Sequence, residues 1–256
     1  MMQWDPTQYR RYTDERGRPF EDLLAQVGAN DPRTVVDLGC GPGNLTALLR
    51  RRWPQARIVG LDSSPDMIER ARAEVEGPQF ELGDISAWHP GPDTDVVISN
   101  AALQWVPGHL DLLRSWAADL ASGAWLAVQV PANFSSPSHR LMRELAESPR
   151  WADQLRDVLR HHDSVAPPQT YGELLLDAGL SASVWQTSYL HLLPGADPVL
   201  EWVRGTGLRP VLQALSPADG AEFEQTYAQA LRTAYPRGPH GTYFPFLRTF
   251  LVGQKR

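Results

Sequence analysis

The chain predicts an α/β fold: a seven-stranded, mostly parallel sheet with helices on both faces and a helical cap inserted before the last strand. Three observations carry this expectation. Short apolar runs alternate with helix-period segments through the first half, at the spacing of strand–helix–strand units. The first run opens directly onto a glycine-rich loop followed by a helical segment. About fifty residues separate the last two strand-like segments, too many for a plain connection.

In chain order, residues 34–38, 57–61, 79–82, 95–99 and 125–130 read as buried strands, each bounded by Gly, Pro, Asp or Asn. Between them, residues 44–53 carry Leu45, Leu48 and Leu49 at helical spacing. Ser64 reads as an N-cap with Pro65 in the first helical position of a helix reaching about residue 74. A third helix over 107–120 places Leu110, Leu113, Ala117 and Leu120 on one face. Residues 131–180 read as mostly helical, with a turn at 166–168. Residues 182–193 alternate as a strand, and 246–254 form the last one. The expected organisation is one compact domain: an N-terminal helical arm or lid (1–30), a core (31–193 and 246–256) and a cap insertion (194–245).

With 256 residues and 42% hydrophobic content, the chain can bury a sizeable core. A net charge of −6 disfavours nucleic-acid binding through a broad basic face. Cys40 is the single cysteine, which excludes an intrachain disulfide and a cysteine-rich metal site. His109, His161, His162, His191 and His240 form no metal-ligand spacing with acids, and the His161–His162 pair reads as a helix end. No metal is therefore expected. The first residues lack the basic-then-apolar order of a signal peptide, and no apolar run approaches the roughly 20 residues that span a bilayer. A cytoplasmic protein without membrane contact is expected; nothing in the sequence specifies an oligomeric state.

The loop after the first strand reads Asp37-x-Gly39-x-Gly41-x-Gly43. Glycines there let the backbone turn sharply and approach a ligand without Cβ clashes, and the following helix offers free N–H groups. A dinucleotide fingerprint requires G-x-G-x-x-G, but here the third position is Asn44 and Gly43 comes one residue early. That counts against a nicotinamide cofactor, as does the lack of a Tyr-x-x-x-Lys pair. Asp62, with Ser63 beside it, ends the second strand, where a carboxylate can accept both ribose hydroxyls of a nucleoside. Dehydrogenases place an acid similarly, so Asp62 alone does not choose between cofactors. Asp84 and Ile85 follow the third strand and Asn100 ends the fourth. Singly, each acid or amide could be a turn or cap residue. Together they occupy the ends of four successive strands, where open α/β sheets bind ligands. Cys40 reads as a small packing residue rather than a nucleophile, because no base lies near it in sequence.

The spacing of the glycine loop resembles that of the class I S-adenosylmethionine-dependent methyltransferases, whose sheet is Rossmann-like. The resemblance implies S-adenosyl-L-methionine as cofactor, held by Asp37, Gly39, Gly41, Gly43, Asp62, Ser63, Asp84, Ile85 and Asn100. Within it, Asp84 would accept the exocyclic amine of adenine, Ile85 would pack on the ring, and Asn100 would line the methionine end. The run Ser99-Asn100-Ala101-Ala102-Leu103-Gln104-Trp105-Val106 is similar to a stretch shared by trans-aconitate 2-methyltransferases and malonyl-carrier-protein methyltransferases. Trp4-Asp5-Pro6-x-x-Tyr9, the segment from Glu201 to Pro210 and the ending Phe244-Pro245-Phe246-Leu247-Arg248-x-Phe250 resemble the trans-aconitate 2-methyltransferases in particular.

This implies a carboxyl O-methyltransferase acting on a small polycarboxylate. Such a substrate is ionised at pH 7, so its attacking oxygen needs no general base, and no catalytic residue is expected beyond those that position it. A polyanion requires cationic partners, and arginine suits carboxylates because its planar fork can bond two oxygens. The expected substrate residues are Tyr9, Gln104, Trp105, Arg209 and Arg248. Lys255 is the single lysine, so finding arginine at a given place means less than usual. Arg204 reads as a surface residue; Tyr9 and Tyr12 read equally as a lid or as helix packing, and Trp105 as pocket wall or core. The competing readings are a malonyl-carrier-protein methyltransferase, which would need a basic docking patch, a phenol or amine methyltransferase, which would need a base beside Asn100–Trp105, a nicotinamide-dependent oxidoreductase and a non-catalytic adenosyl-ligand sensor.

Overall fold

The computed structural model describes residues 13–159 and 164–256. Tyr9 and Tyr12, with the rest of the expected arm to residue 12, and the His161–His162 pair lie outside the described residues.

Five parallel strands form in the expected order: β1 (Thr34–Leu38), β2 (Arg57–Asp62), β3 (Gln79–Leu82), β4 (Thr94–Asn100) and β5 (Trp125–Pro131). The later strands are β6 (Ser183–Leu193), a two-residue β7 (Arg237–Gly238) and β8 (Gly241–Gln254). The sheet runs β3-β2-β1-β4-β5-β8-β6, with β7 paired off this path to β8. β8 is antiparallel to both β5 and β6. The seven-stranded, mostly parallel expectation therefore stands, with β7 added.

The helices are α1 (Thr13–Ala25), α2 (Thr46–Arg52), α3 (Pro65–Glu74), α4 (His109–Asp119), α5 (Pro137–Ala146), α6 (Ala152–Leu155), α7 (Pro168–Asp177), α8 (Pro198–Arg204), α9 (Arg209–Ala214) and α10 (Pro217–Ala234). Ser64 caps α3, its hydroxyl accepting from the Met67 N–H at 3.4 Å, with Pro65 in the first turn. Helices cover both faces, because alternate strand residues point to opposite sides. On one face Leu113 and Trp116 of α4 and Tyr171 and Leu175 of α7 pack on Val36, Val97 and Leu126. On the other, Phe20 and Leu23 of α1 and Leu49 of α2 pack on Val35, Val96, Ile98 and Phe250. Among the described residues no helix is long and apolar enough to cross a membrane.

β8 begins at Gly241, five residues earlier than the sequence reading placed it. Pro245 hid the extension, since proline cannot donate to a ladder. It is tolerated because β8 meets β5 only from Arg248 onward, which leaves residues 243–246 unpaired with any strand on that side. The early part of β8 and the late part of β6 thus overrun the parallel strands. Their inward residues Leu193, Phe244 and Phe246 join a separate apolar cluster with Trp202 and Val203 of α8, Val211 of α9 and Phe223, Tyr227 and Leu231 of α10. Met142 and Ala146 of α5 and Leu155 of α6 belong to the same cluster. The elements standing over the sheet's carboxyl edge therefore include α5 and α6 as well as the 194–245 segment.

Candidate active site

The strand order reverses between β1 and β4, which leaves a crevice beyond their carboxyl ends. A cavity of about 930 Å³ occupies it, walled by the ends of β2, β3, β4, β5 and β8, the glycine loop and the elements above.

The glycine loop is held tightly. Gly39 and Cys40 N–H donate to the Leu61 carbonyl at 2.8 and 3.0 Å, tying the loop to β2. Gly39 has φ +80°, and a Cβ there would lie 2.3 Å from the Ala102 Cβ, so the loop and the segment after β4 touch with no room for a side chain. Ala101 itself holds φ +55°, a left-handed conformation uncommon for a non-glycine residue, and its N–H donates to the Gln129 carbonyl at 2.9 Å.

Gly39, Gly41, Asp62, Ser63, Asp84, Ile85, Asn100, Gln104, Trp105 and Arg248 all line the cavity. Asp62 accepts the Gly41 N–H on Oδ2 and the Ser64 N–H on Oδ1, both at 2.9 Å, which fixes the carboxylate and leaves each oxygen a further lone pair. Asp84 Oδ1 accepts the Ser86 N–H at 2.8 Å and the Ser86 hydroxyl at 2.7 Å. These bonds hold its carboxyl below the usual range. The Asn100 side-chain oxygen is buried and accepts no hydrogen bond among the described residues. Gln104 is pinned by donation from Nε2 to the Ala101 carbonyl at 2.6 Å. Arg248 is 4% exposed, donates from Nη1 to Gln129 Oε1 at 3.0 Å and lies over the Phe246 ring at 4.7 Å.

Three expected site residues do not line this cavity. Asp37 is buried beneath the loop, where Oδ2 accepts the Thr46 hydroxyl at 2.6 Å. Burial pushes its carboxyl up to about 7, opposed by the Thr46 bond and reinforced by the Asp62 charge. Asp37 therefore braces the loop against α2. Gly43 faces away from the cavity: a Cβ there would meet the Phe80 ring at 2.6 Å, so this glycine permits packing of the loop on β3. Arg209 opens α9 half-buried and outside the cavity, because the register of that helix turns Leu208 and Val211 into the apolar cluster. The same segment reaches the cavity through Thr206 and Gly207 instead. Two other expectations need adjustment. The helix after the glycine loop starts at Thr46, and the Ala47 N–H already donates to the Gly43 carbonyl. Arg204 is paired with Glu201 and with Glu224, the latter at 2.6 Å, rather than simply solvated.

The sequence reading missed Asn133, Phe134, His139 and Trp202, all in the cavity wall. Asn133 and Phe134 follow β5 at the same sheet edge that flagged the ends of β1 to β4, and that rule would have found them. His139 on α5 and Trp202 on α8 carried no such signal; they reach the cavity only through the docking of those helices. His139 Nδ1 lies 3.2 Å from the Ser138 hydroxyl, and a Cβ on Gly207 would lie 3.3 Å from His139 Nε2.

Charge is unevenly spread around the wall. Asp62, Asp66 and Asp84 lie at the β2–β3 side, and Arg248 is the single Arg or Lys among the described lining residues. In strand order Arg248 on β8 stands four strand steps from Asp62 on β2. At about 4.8 Å per step this is roughly 19 Å along the sheet.

A methyltransferase domain family matches residues 9–183. The chain is 55% identical to the trans-aconitate 2-methyltransferase of Streptomyces avermitilis, over 98% of this chain and 97% of that protein. It is 53% identical to the trans-aconitate 2-methyltransferase of Rhodococcus jostii, over 98% of this chain and 99% of that protein. The fold is also similar to that of phosphoethanolamine N-methyltransferase 2 of Haemonchus contortus, solved with S-adenosyl-L-methionine. There the TM-score is 0.54 at 13% identity, over 93% of this chain and 52% of that one.

Proposed function

The chain belongs to the trans-aconitate 2-methyltransferase family, and from that premise we propose that it transfers the methyl group of S-adenosyl-L-methionine to one carboxylate of trans-aconitate or a closely similar small polycarboxylate, giving the monomethyl ester. The observation that carries this reading is a single cavity with a carboxylate-rich nucleoside end and a buried guanidinium at the other.

The residues present fit the cofactor. The Gly39–Ala102 contact closes the glycine loop against the segment after β4, and Gly41 beside it leaves open space at the cavity wall where a Cβ would lie. The fixed Asp62 carboxylate can accept ribose hydroxyls, Asp84 retains an unused oxygen for an exocyclic amine, and Ile85 lies beside it for the ring. The Asn100 oxygen is an acceptor suited to an ammonium group at the methionine end. When bound, S-adenosyl-L-methionine supplies an electrophilic methyl group on a sulfonium: the acceptor oxygen bonds to that carbon while the carbon–sulfur pair stays on sulfur. No proton moves, because the acceptor carboxylate is already ionised.

The chain's own contribution is alignment and exclusion of water. Arg248 anchors a carboxylate, held in place by Gln129 and the Phe246 ring. Gln104 and Trp105 wall the region where the donor and acceptor meet, next to Asn100. Phe134, Trp202 and Phe246 supply apolar surface that keeps water from the reacting atoms. Tyr9, outside the described residues, completes the proposed substrate set from the N-terminal side. Arg209 is left out of it, since Thr206 and Gly207 take its place at the cavity.

Calorimetry tests the cofactor half. The protein is expected to bind S-adenosyl-L-methionine and its demethylated product but not NAD. Asp62→Ala is expected to weaken that binding by about ten- to a hundredfold, from loss of charge-assisted bonds worth about 1.5–3 kcal/mol. Unchanged affinity would remove Asp62 from the site.

A further inference from the structure

A smaller pocket of about 40 Å³ adjoins the main cavity and shares Phe134, His139 and Gly207 with it. β5 ends at Pro131, which pairs with Arg248 on β8, and Phe134 follows three residues later. The shared wall therefore stands on the acceptor side, away from the nucleoside end. It is thinnest at Gly207. That residue has no positive φ, so its backbone does not call for glycine. The space does: a Cβ there would lie 3.3 Å from His139 Nε2 and crowd the partition.

Beyond this wall the pocket is lined by Met142, Val158, Leu159 and Pro210, all apolar, and by one cation, Arg143. Arg143 is partly buried on α5, four residues after His139 and so on the same face. Helical side chains lean toward the N-terminus of their helix, which brings the guanidinium back toward His139 and the cavity. Arg143 makes no hydrogen bond or ion pair among the described residues, although Glu147 stands four residues on. The same spacing does form a pair on this helix, where Arg140 Nη1 donates to Glu144 Oε1 at 2.6 Å. A place in the last turn of α5 suits a cation through the helix dipole, but it does not explain apolar walls around an unpaired one. A guanidinium there gives up hydration with no return, and an anion would supply that return.

The size of the pocket limits what that anion is. About 40 Å³ is little more than the roughly 30 Å³ share of one liquid water molecule. No separate ligand fits, whereas a single small group at the end of a molecule seated in the main cavity does.

We propose that this pocket is the far end of the acceptor site, and that Arg143 binds the substrate carboxylate most remote from the methyl donor, which makes it a specificity-determining residue for a tricarboxylate over a dicarboxylate. Arg248 and Arg143 then divide the two carboxylates that are not methylated. This role rests on the reading of the acceptor as a polycarboxylate.

Arg143→Met and Arg143→Glu are compared with the wild-type enzyme. Steady-state kinetics are measured with trans-aconitate and with itaconate and glutaconate, which each lack one of its three carboxylates; an acid that is not turned over is measured by its inhibition constant against trans-aconitate. Affinity for S-adenosylhomocysteine is measured separately. Arg143→Met, which keeps the apolar stem, is expected to lower kcat/KM for trans-aconitate by about tenfold, chiefly through KM, with S-adenosylhomocysteine affinity within about twofold. At least one dicarboxylate, the one lacking the carboxylate that Arg143 binds, is expected to change by less than about twofold, so that selectivity for the tricarboxylate falls. Arg143→Glu is expected to lose more than Arg143→Met on trans-aconitate, because it places a like charge in the pocket. A trans-aconitate kcat/KM within twofold of wild type in Arg143→Met overturns the proposal. So does an equal loss for trans-aconitate and both dicarboxylates, or an equal loss of affinity for S-adenosylhomocysteine, since either marks a general or structural role. If the Met variant does not fold, Arg143→Gln takes its place with the same expectations. A wild-type enzyme that neither binds nor methylates trans-aconitate overturns the acceptor assignment itself, and the role of Arg143 falls with it.

Discussion

Arg248→Met is expected to leave a protein that folds and binds S-adenosyl-L-methionine but has lost two to three orders of magnitude, very roughly, in kcat/KM for trans-aconitate. A hydrogen bond to a charged group is worth about 1.5–3 kcal/mol, and a guanidinium fork can make two of them to one carboxylate. No other Arg or Lys among the described lining residues can replace it. Methionine keeps the apolar stem over Phe246, so the fold is expected to survive. Arg248→Lys separates charge from geometry: the ammonium attracts the anion but presents a point rather than a fork, and an intermediate loss is expected. Steady-state kinetics with each substrate varied in turn make the check. A KM for S-adenosyl-L-methionine that rises as much as that for trans-aconitate would argue that Arg248 only supports the fold.

Gly39→Ala is expected to damage the other end of the cavity as severely. The new Cβ would fall 2.3 Å from the Ala102 Cβ. Neither atom has a rotamer to escape into, so the glycine loop or the Asn100–Ala102 segment must move, and both wall the cavity. To this is added the cost of about 1–2 kcal/mol for a side chain at positive φ. Affinity for S-adenosylhomocysteine is expected to fall by about a hundredfold or more, which corresponds to a loss of about 2.7 kcal/mol or more. Gly123→Ala is the control: Gly123 has φ +87° but open space where its Cβ would lie, and it does not line the cavity. That variant is expected to lose thermal stability and keep full affinity. Equal affinity losses in the two variants would show that the Gly39–Ala102 contact is not what matters.

The parts of this site that the sequence made legible are those built by one strand and its own loop. The ends of β1 to β4 could be read because apolar runs and their polar stops are local, and because a parallel sheet brings those stops to one edge. Asp62, Asp84 and Asn100 line the cavity for that reason. Arg248 was legible as part of an alternating strand, although Pro245 concealed how far that strand extends.

What the sequence concealed depends on packing between distant segments. His139 and Trp202 enter the cavity because α5 and α8 share an apolar cluster with the overrunning ends of β6 and β8. Arg209 was misplaced by a question of helix phase: which face of α9 turns inward is settled by Leu208 and Val211, not by the arginine. Asp37 and Gly43 belong to a loop motif that reads as ligand contact throughout. In three dimensions one braces the loop through Thr46 and the other makes room for Phe80. Gln129 gave no sign at all, since an amide inside an apolar strand acquires meaning only when Arg248 arrives from β8.

The acceptor is decided by a methyl-transfer assay with methyl-labelled S-adenosyl-L-methionine and the wild-type protein against a panel of di- and tricarboxylates, with products identified by mass spectrometry. The expected result is one labelled methyl group on trans-aconitate, attached as a carboxyl ester, with turnover falling away for acids that cannot place one carboxylate at Arg248 and another at the methyl donor. Label that entered no polycarboxylate, and passed instead to an amine, a phenol or a carrier-bound acyl group, would contradict it.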